Sequence, residues 1–339
     1  MKILLHMGQG KTGTTALQRS LHSSREHLRQ HGILYPCLSP DAIAHHMLIA
    51  LCESDERIPP HVVASFGNLD VLRATAAAGL YNLRLEIERE RPEVLILSSE
   101  TLIFGLQRSG KEKLARLLSP LSGDVLPIVY IREPGALYRS RLQERMRIAA
   151  TTLPPGPQRI REAIADTEGA WGQIAVCRFD PGSLVGKDIL KDFASRFLSD
   201  RVDPNLLVAG RENTSLSGEA ILALSRFRQL IARDRDWHRD PRSDRLLRRL
   251  QLIEEADPAT PRISLRPMVA EAVRRASIDY LWLRERFGIV FPEIDYAAMD
   301  GTPPEPEMTR RPIEELIQID FDRYDHLLLS VLAAEFGRR

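Results

Sequence analysis

The stretch KILLHMGQGKTGTTALQ, at residues 2–18, decides the fold that the sequence predicts. An apolar run of strand length, Ile3 to Met7, leads into a turn with three glycines and three threonines, and helix-forming residues follow. This order predicts a strand, an anion-binding loop and a helix. Glycines let the backbone approach an anion closely, and the helix N-terminus adds partial positive charge. Lys11 adds a full charge, so the loop is suited to a phosphate or a sulfate.

The loop departs from the nucleotide-triphosphate pattern at one position. The spacing Gly8-x4-Gly13 matches the start of Gly-x4-Gly-Lys-Ser/Thr, but Thr14 stands where the lysine belongs, and the lysine lies upstream at position 11. The core Lys-Thr-Gly-Thr-Thr, directly after the first predicted strand, resembles the 5′-phosphosulfate loop of the sulfotransferase family. Members of that family use 3′-phosphoadenosine-5′-phosphosulfate (PAPS) as donor and need no magnesium. A phosphate loop of another P-loop protein is the alternative.

The resemblance implies roles for the loop residues and extends beyond the loop. It assigns donor binding to Gly10, Lys11, Thr12, Gly13, Thr14 and Thr15. The same order, with a helix and then Gly-Ile-x-Tyr-Pro at residues 32–36, is familiar from bacterial members.

A second anion site is predicted after the strand Val125 to Ile131. Arg132 stands at the tip of that strand, Pro134 suits a first helical position, and Ser140 falls on the helix that follows. A strand tip and a helix face can converge on one anion, with donors from the guanidinium and the hydroxyl. The arrangement is similar to the family's 3′-phosphate site, to which Arg211 would add a third contact. A helix-capping arginine with a surface serine is the alternative.

The strand Val94 to Leu97 ends in Ser98-Ser99-Glu100, at the edge where ligands bind in open α/β sheets. A P-loop ATPase would prefer an aspartate at such a tip to hold magnesium. Glu100 is therefore the first candidate for the general base that takes a proton from an acceptor hydroxyl. The alternative is that Ser99 or Glu100 caps a helix beginning near Thr101.

His46 is the second candidate base. Residues 42–52 are predicted to be helical, and adjacent residues such as His45 and His46 point to different sides of a helix, so at most one serves a given site. An imidazole has a suitable pKa for proton abstraction or acceptor binding. A packed or half-exposed histidine is the alternative.

Composition excludes several classes of protein. The 339 residues carry 47 basic and 46 acidic side chains, so a polycationic nucleic-acid binder is not indicated. Three widely spaced cysteines, without Cys-x-x-Cys, fit a reducing compartment and argue against structural zinc. No secretory pattern or run of about twenty apolar residues occurs, which predicts a cytoplasmic protein without a membrane span.

Alternating strands and helices predict an α/β fold, a three-layer sandwich around a parallel sheet. We expect one domain over residues 1–339, with a helical elaboration at about 218–288 and a helical C-terminal segment at about 313–336. The resemblance implies sulfuryl transfer from PAPS, without metal, to a hydroxyl or less favourably an amine of a small-molecule, lipid or carbohydrate acceptor. The alternatives are a P-loop kinase or NTPase, and a nucleotide-binding scaffold protein without catalysis.

Overall fold

The computed structural model describes residues 1–40, 42–149, 151–154, 156, 159–180, 182–207, 215–231, 240–257, 259–302 and 311–336. The strands are β1 (Lys2–His6), β2 (Ile33–Leu34), β3 (Val94–Ser98), β4 (Asp124–Arg132) and β5 (Ala175–Phe179). The helices are α1 (Thr14–Ser23), α2 (Arg25–Gln30), α3 (Pro60–Ser65), α4 (Leu69–Glu90), α5 (Leu102–Gly105), α6 (Arg108–Leu118), α7 (Pro134–Ile148), α8 (Ile160–Trp171), α9 (Ile189–Phe197), α10 (Gly218–Ile231), α11 (Pro241–Glu255), α12 (Pro267–Ala276), α13 (Asp279–Phe287), α14 (Ile313–Leu316) and α15 (Phe321–Phe336). Short 3₁₀ helices cover His46–Leu51, Asp55–Arg57, Val185–Lys187 and Pro204–Leu206.

The five strands form one sheet in the order β2-β3-β1-β4-β5, and each neighbouring pair is parallel. The central strand β1 pairs with β3 on one side and with β4 on the other, with Leu4 opposite Ile96 and Leu126. The carboxyl ends of these three strands therefore lie side by side at one edge of the sheet. The predicted α/β class with a parallel sheet is confirmed.

Helices cover the sheet because its central strands are apolar on both faces. Leu4 and Ile96 pack in one cluster with Leu17 of α1 and Phe193 of α9. Ile3 alternates with Leu4, is equally buried, and points to the opposite face. Helices α6 and α8 pack on each other, and α8 contacts β4. Continuous apolar runs are what a strand buried on both faces requires.

Two local predictions differ from the structure. One helix was expected between the anion loop and Gly32, but α1 ends at Ser23 and α2 begins at Arg25. Residues 42–52 were expected to be helical, and only His46–Leu51 form a 3₁₀ helix. The backbone N–H of His45 donates to the carbonyl of Ser98 at 2.8 Å. The chain before the 3₁₀ helix is therefore tied to the end of β3, and it cannot form the first turn of a longer helix.

The contacts of the chain divide it into two compact units. The first comprises Met1–Arg132, Arg159–Glu212 and Leu283–Val290, and it contains the sheet. The second comprises Glu133–Gln158, Asn213–Trp282 and Phe291–Arg339. The expectation of one domain over the whole chain stays a prediction.

The second unit is helical. It contains α7, α10, α11, α12, α14 and α15, in agreement with the helical segments predicted after residue 218 and near the C-terminus. Its core includes Leu142, Leu224, Leu250 and Leu316. Among the described helices of the chain, none is both long enough and apolar enough to cross a lipid bilayer.

Candidate active site

The loop between β1 and α1 has the backbone of an anion-binding turn. Lys11 and Gly13 both adopt left-handed conformations, with φ of 73° and 72°. The hydroxyl of Thr12, between them, donates to the carbonyl of Gln9 at 2.6 Å. Left-handed residues interleaved in a loop at a helix N-terminus form the concave anion sites called nests. A left-handed lysine is also strained, and such strain is concentrated at functional sites.

Two glycines of the loop are required by its geometry. A Cβ atom on Gly8 would lie 2.3 Å from Cγ2 of Thr14, far inside contact distance. Gly13 is left-handed, and a Cβ there would also lie 3.2 Å from Phe179 and from Ile189. Substitution at either position would therefore move the loop or the residues behind it.

Arg132 lies against this loop. Its Nη1 donates to the carbonyl of Lys11 at 2.7 Å, and its backbone N–H donates to Oε1 of Gln9 at 2.9 Å. Gln9 is fully buried, and the guanidinium carbon lies 5.6 Å from the centre of the Phe179 ring. The structure thus brings together the predicted lysine and arginine, and Arg132 braces the loop as well as carrying charge beside it.

Glu100 also lies beside the loop. Its Oε2 accepts a hydrogen bond from the hydroxyl of Thr14 at 2.6 Å, and a Cβ on Gly10 would be 3.9 Å from the same oxygen. Helix α5 begins at Leu102, so Glu100 stands before the helix. The helix cap considered for Ser99 or Glu100 is not found, because Thr101 is the N-cap residue of α5 and no side chain caps that helix. Oγ of Ser99 accepts instead from the backbone N–H of Thr101, before the helix, at 3.3 Å.

His46 is hydrogen-bonded to the same strand end. Its Nδ1 lies 2.9 Å from Oγ of Ser99, and its side chain is half-buried. Burial lowers the pKa of His46, while the nearby charge of Glu100 opposes that shift. A neutral imidazole at neutral pH can accept a proton, so His46 remains a second candidate base. His45 is instead fully buried, and its ring is hydrogen-bonded to the backbone of Pro36 and of Ser98. These contacts support a structural role for His45.

His6 is a buried residue of this edge that the sequence did not single out. Its Nδ1 lies 2.7 Å from Oγ of Ser98, and its Nε2 has no hydrogen-bond partner within the described ranges. Complete burial lowers the pKa of His6 to about 4, so the ring is neutral. Gln18 donates to the same hydroxyl at 3.1 Å. The available signal was a polar residue within the apolar run Ile3 to Met7.

For the remaining predicted residues, the role in donor binding stays a prediction. Ser140 is half-buried on α7 in the second unit, whereas Arg132 ends β4 in the first. Their joint contact with a 3′-phosphate stays a prediction. Arg211 lies outside the described residues. Thr15 is on the first turn of α1.

The site combines a cradle for an anionic group with two proton acceptors. Within the part of the chain that the structure describes, no three histidine, cysteine, aspartate or glutamate side chains are grouped to hold a metal ion. The chemistry available from the side chains themselves is anion binding by Lys11 and Arg132 and proton removal by Glu100 or His46.

Comparisons of the chain with protein-family models, with curated proteins and with solved structures gave no match. The function proposed below therefore rests on the motifs of the sequence and on the geometry of this site.

Proposed function

We propose that this protein is a sulfotransferase that moves the sulfuryl group of PAPS to a hydroxyl, or less favourably an amine, of its acceptor. The observation that carries the proposal is the 2.6 Å hydrogen bond between Thr14 of the anion loop and the carboxylate of Glu100. A base for the acceptor must act within a few ångströms of the group being transferred. Glu100 is in contact with the loop that would hold that group.

In this proposal the loop binds the donor at its reactive end. Lys11 and the backbone N–H groups of residues 13–15 hold the 5′-phosphosulfate. Lys11 neutralises the charge that develops on the bridging oxygen as the sulfur–oxygen bond breaks. Arg132 and Ser140 hold the 3′-phosphate, and Arg211 adds a contact. The bond from Arg132 to the carbonyl of Lys11 supports this assignment, since it joins the two predicted anion sites.

Glu100 would act on the acceptor. It takes the proton of the acceptor hydroxyl, whose oxygen attacks the sulfur in line with the bond to the phosphate. A sulfate ester and 3′-phosphoadenosine-5′-phosphate (PAP) result, and the proton remains on Glu100. His46, bonded to Ser99 beside Glu100, is the second candidate for this role. Positioning and charge stabilisation account for most of the acceleration, by analogy with phosphoryl transfer.

The proposal is tested by incubating the protein with ³⁵S-labelled PAPS and fractionated cell extracts. We expect a labelled product that depends on the extract and that disappears with the Lys11→Ala variant. A protein that binds PAP and yet labels nothing in any fraction would favour a binding protein without catalysis. Transfer of ³²P from γ-labelled ATP instead would favour a kinase.

A further inference from the structure

The first unit contains a cavity of about 690 Å³ that the mechanism above does not use. Its walls come from α5 and the turn that follows it, the N-terminal turns of α6 and α8, and the 3₁₀ helix Asp55–Arg57. Helices α6 and α8 lead into β4 and β5. In a strand–helix–strand unit the helix runs antiparallel to the parallel strands. The N-terminal turn of the helix therefore lies at the carboxyl edge of the sheet. The cavity is therefore at the edge of the sheet that carries the candidate active site.

Chain connections link the cavity to both candidate bases. Ile103 and Phe104 form part of its wall. Ile103 is three residues beyond Glu100, a separation that spans at most about 11 Å of chain. The 3₁₀ helix that begins at His46 contacts α5 and α6, the elements that form two of the walls. A ligand that extends from this cavity along the sheet edge would approach the residues proposed to remove its proton.

We propose that this cavity binds the acceptor and that the acceptor is a neutral carbohydrate of about disaccharide size. This inference rests on the proposed function, because an acceptor site requires a neighbouring donor site. The volume falls in the range of about 300–1,000 Å³ that small-molecule sites occupy.

The charged side chains that line the cavity indicate the chemical class of its ligand. Arg57, Arg108 and Arg159 come from three different segments. Arg108 lies 3.2 Å from Glu112 and Arg159 lies 3.5 Å from Glu162, so two of the guanidinium groups pair with carboxylates of the same lining. The carboxylates of the lining are Glu112, Glu162 and Asp166. A sugar hydroxyl can donate to a carboxylate and accept from a guanidinium, so a polyhydroxyl ligand satisfies both kinds of group.

The same lining disfavours the other acceptor classes. A lipid or steroid would desolvate the charged groups without giving them hydrogen bonds, which costs free energy. The four cationic side chains of the lining are nearly balanced by its three carboxylates, so the cavity offers a polyanion little net attraction. Phe104, which is half-buried, adds an apolar surface against which the C–H face of a sugar ring can pack.

Lys111 fixes two walls of the cavity relative to each other. Its side chain is only 1% exposed, and Nζ donates to the carbonyl of Ala163 on α8 at 2.8 Å. Burial lowers the pKa of Lys111 to about 8, against the opposing charges of Asp166, Glu162 and Glu53. This bond joins α6 to α8 and holds two walls of the cavity together.

The test measures disaccharide binding and PAP binding separately. Saturation-transfer NMR with maltose, cellobiose, lactose and N,N′-diacetylchitobiose reports on the cavity, and calorimetry with PAP reports on the donor site. Transfer from ³⁵S-labelled PAPS to the same disaccharides, and to 2-naphthol, reports on the reaction. We expect at least one disaccharide to bind and to become labelled, and 2-naphthol to remain unlabelled.

The variant Ser109→Trp is designed to fill the cavity from its exposed rim on α6. We expect disaccharide affinity to fall at least about tenfold, with PAP affinity unchanged. Arg116→Trp, at an exposed α6 position outside the lining, is the matched control and should change neither affinity. Glu162→Gln provides a second variant if the tryptophan destabilises the fold, and it should weaken the disaccharide alone.

The outcomes separate the two proposals. Normal PAP binding with no disaccharide binding, or labelling of 2-naphthol with none of the sugars, overturns the carbohydrate acceptor and leaves sulfuryl transfer intact. If neither Ser109→Trp nor Glu162→Gln changes disaccharide affinity, the assignment of this cavity as the acceptor site is overturned. Failure of the wild-type protein to bind PAP overturns both proposals.

Discussion

The hydroxyl of Thr14 donates a 2.6 Å hydrogen bond to Oε2 of Glu100, across 86 residues of sequence. The contact forms because β1 and β3 are neighbours, so the loop after one strand meets the end of the other. A carboxylate beside an anion cradle repels the anion that the cradle is built to hold. The carboxylate of Glu100 would therefore weaken the binding of an anion. A role in proton transfer would explain why it is there.

The variant Glu100→Gln tests whether Glu100 takes part in proton transfer. The amide oxygen can still accept the bond from Thr14, but the group cannot take a proton at neutral pH. We expect turnover to fall roughly 10²- to 10⁴-fold, the scale for a lost general base, while PAP binds as tightly or more tightly. Assays of ³⁵S transfer and calorimetry measure the two effects.

Glu88→Gln is the matched control for that variant. Glu88 is exposed near the C-terminal end of α4, which leads into β3, so it belongs to the opposite edge of the sheet. Turnover should not change in this control. Unchanged turnover in Glu100→Gln would remove Glu100 from the mechanism and leave His46 as the base.

Removal of the Lys11 side chain should lower turnover by about 10²-fold or more, the scale for a lost transition-state donor. Because Lys11 has a φ of 73°, Lys11→Gly keeps the backbone conformation without strain and complements Lys11→Ala. Both variants should lose activity, and Lys113→Ala, at an exposed position on α6, should not. A Lys11→Gly protein with wild-type turnover would show that the lysine does not act on the leaving oxygen.

Two buried histidines should make stability depend on pH. Burial lowers the pKa of His6 and of His45 to about 4, against about 6.5 in the unfolded chain. From pH 6.5 down to 4 the unfolded chain therefore binds protons that the folded chain does not. The free energy of unfolding should fall with pH by about 1.4 kcal/mol per pH unit for each histidine in this window.

Urea unfolding at pH 7.0, 6.0 and 5.0 measures this slope. His6→Asn should remove the contribution of one histidine, although it also lowers stability at pH 7. His326→Asn, at an exposed position on α15, is the control and should leave the slope as it is. An identical slope for His6→Asn and the wild type would contradict the buried neutral ring.

The parts of the fold that follow from local patterns were predicted from the sequence. The apolar run Val94 to Leu97 became β3, Val94–Ser98, and the run Val125 to Ile131 became β4, Asp124–Arg132. The break between α1 and α2 at Ser24 was not predicted. Neither was the short 3₁₀ helix at His46, because tertiary bonds between His45 and the end of β3 override the local helical composition.

The candidate site was likewise predicted only in part. Lys11, Glu100 and Arg132 each follow a predicted strand, and their proximity follows from the parallel sheet. The contacts of Gln9 and His6 could not be predicted, because each depends on a partner on another strand. The left-handed conformation of Lys11 was also missed, since non-glycine residues seldom adopt it.

Calorimetry with PAP and with Mg-ATP distinguishes a PAPS site from a nucleoside-triphosphate site. We expect PAP to bind without metal and more tightly than Mg-ATP. Arg132→Ala should weaken PAP binding by roughly 10- to 150-fold, the range for a charged hydrogen bond of about 1.5–3 kcal/mol. Tighter binding of Mg-ATP than of PAP by the wild-type protein would contradict a PAPS-dependent sulfotransferase.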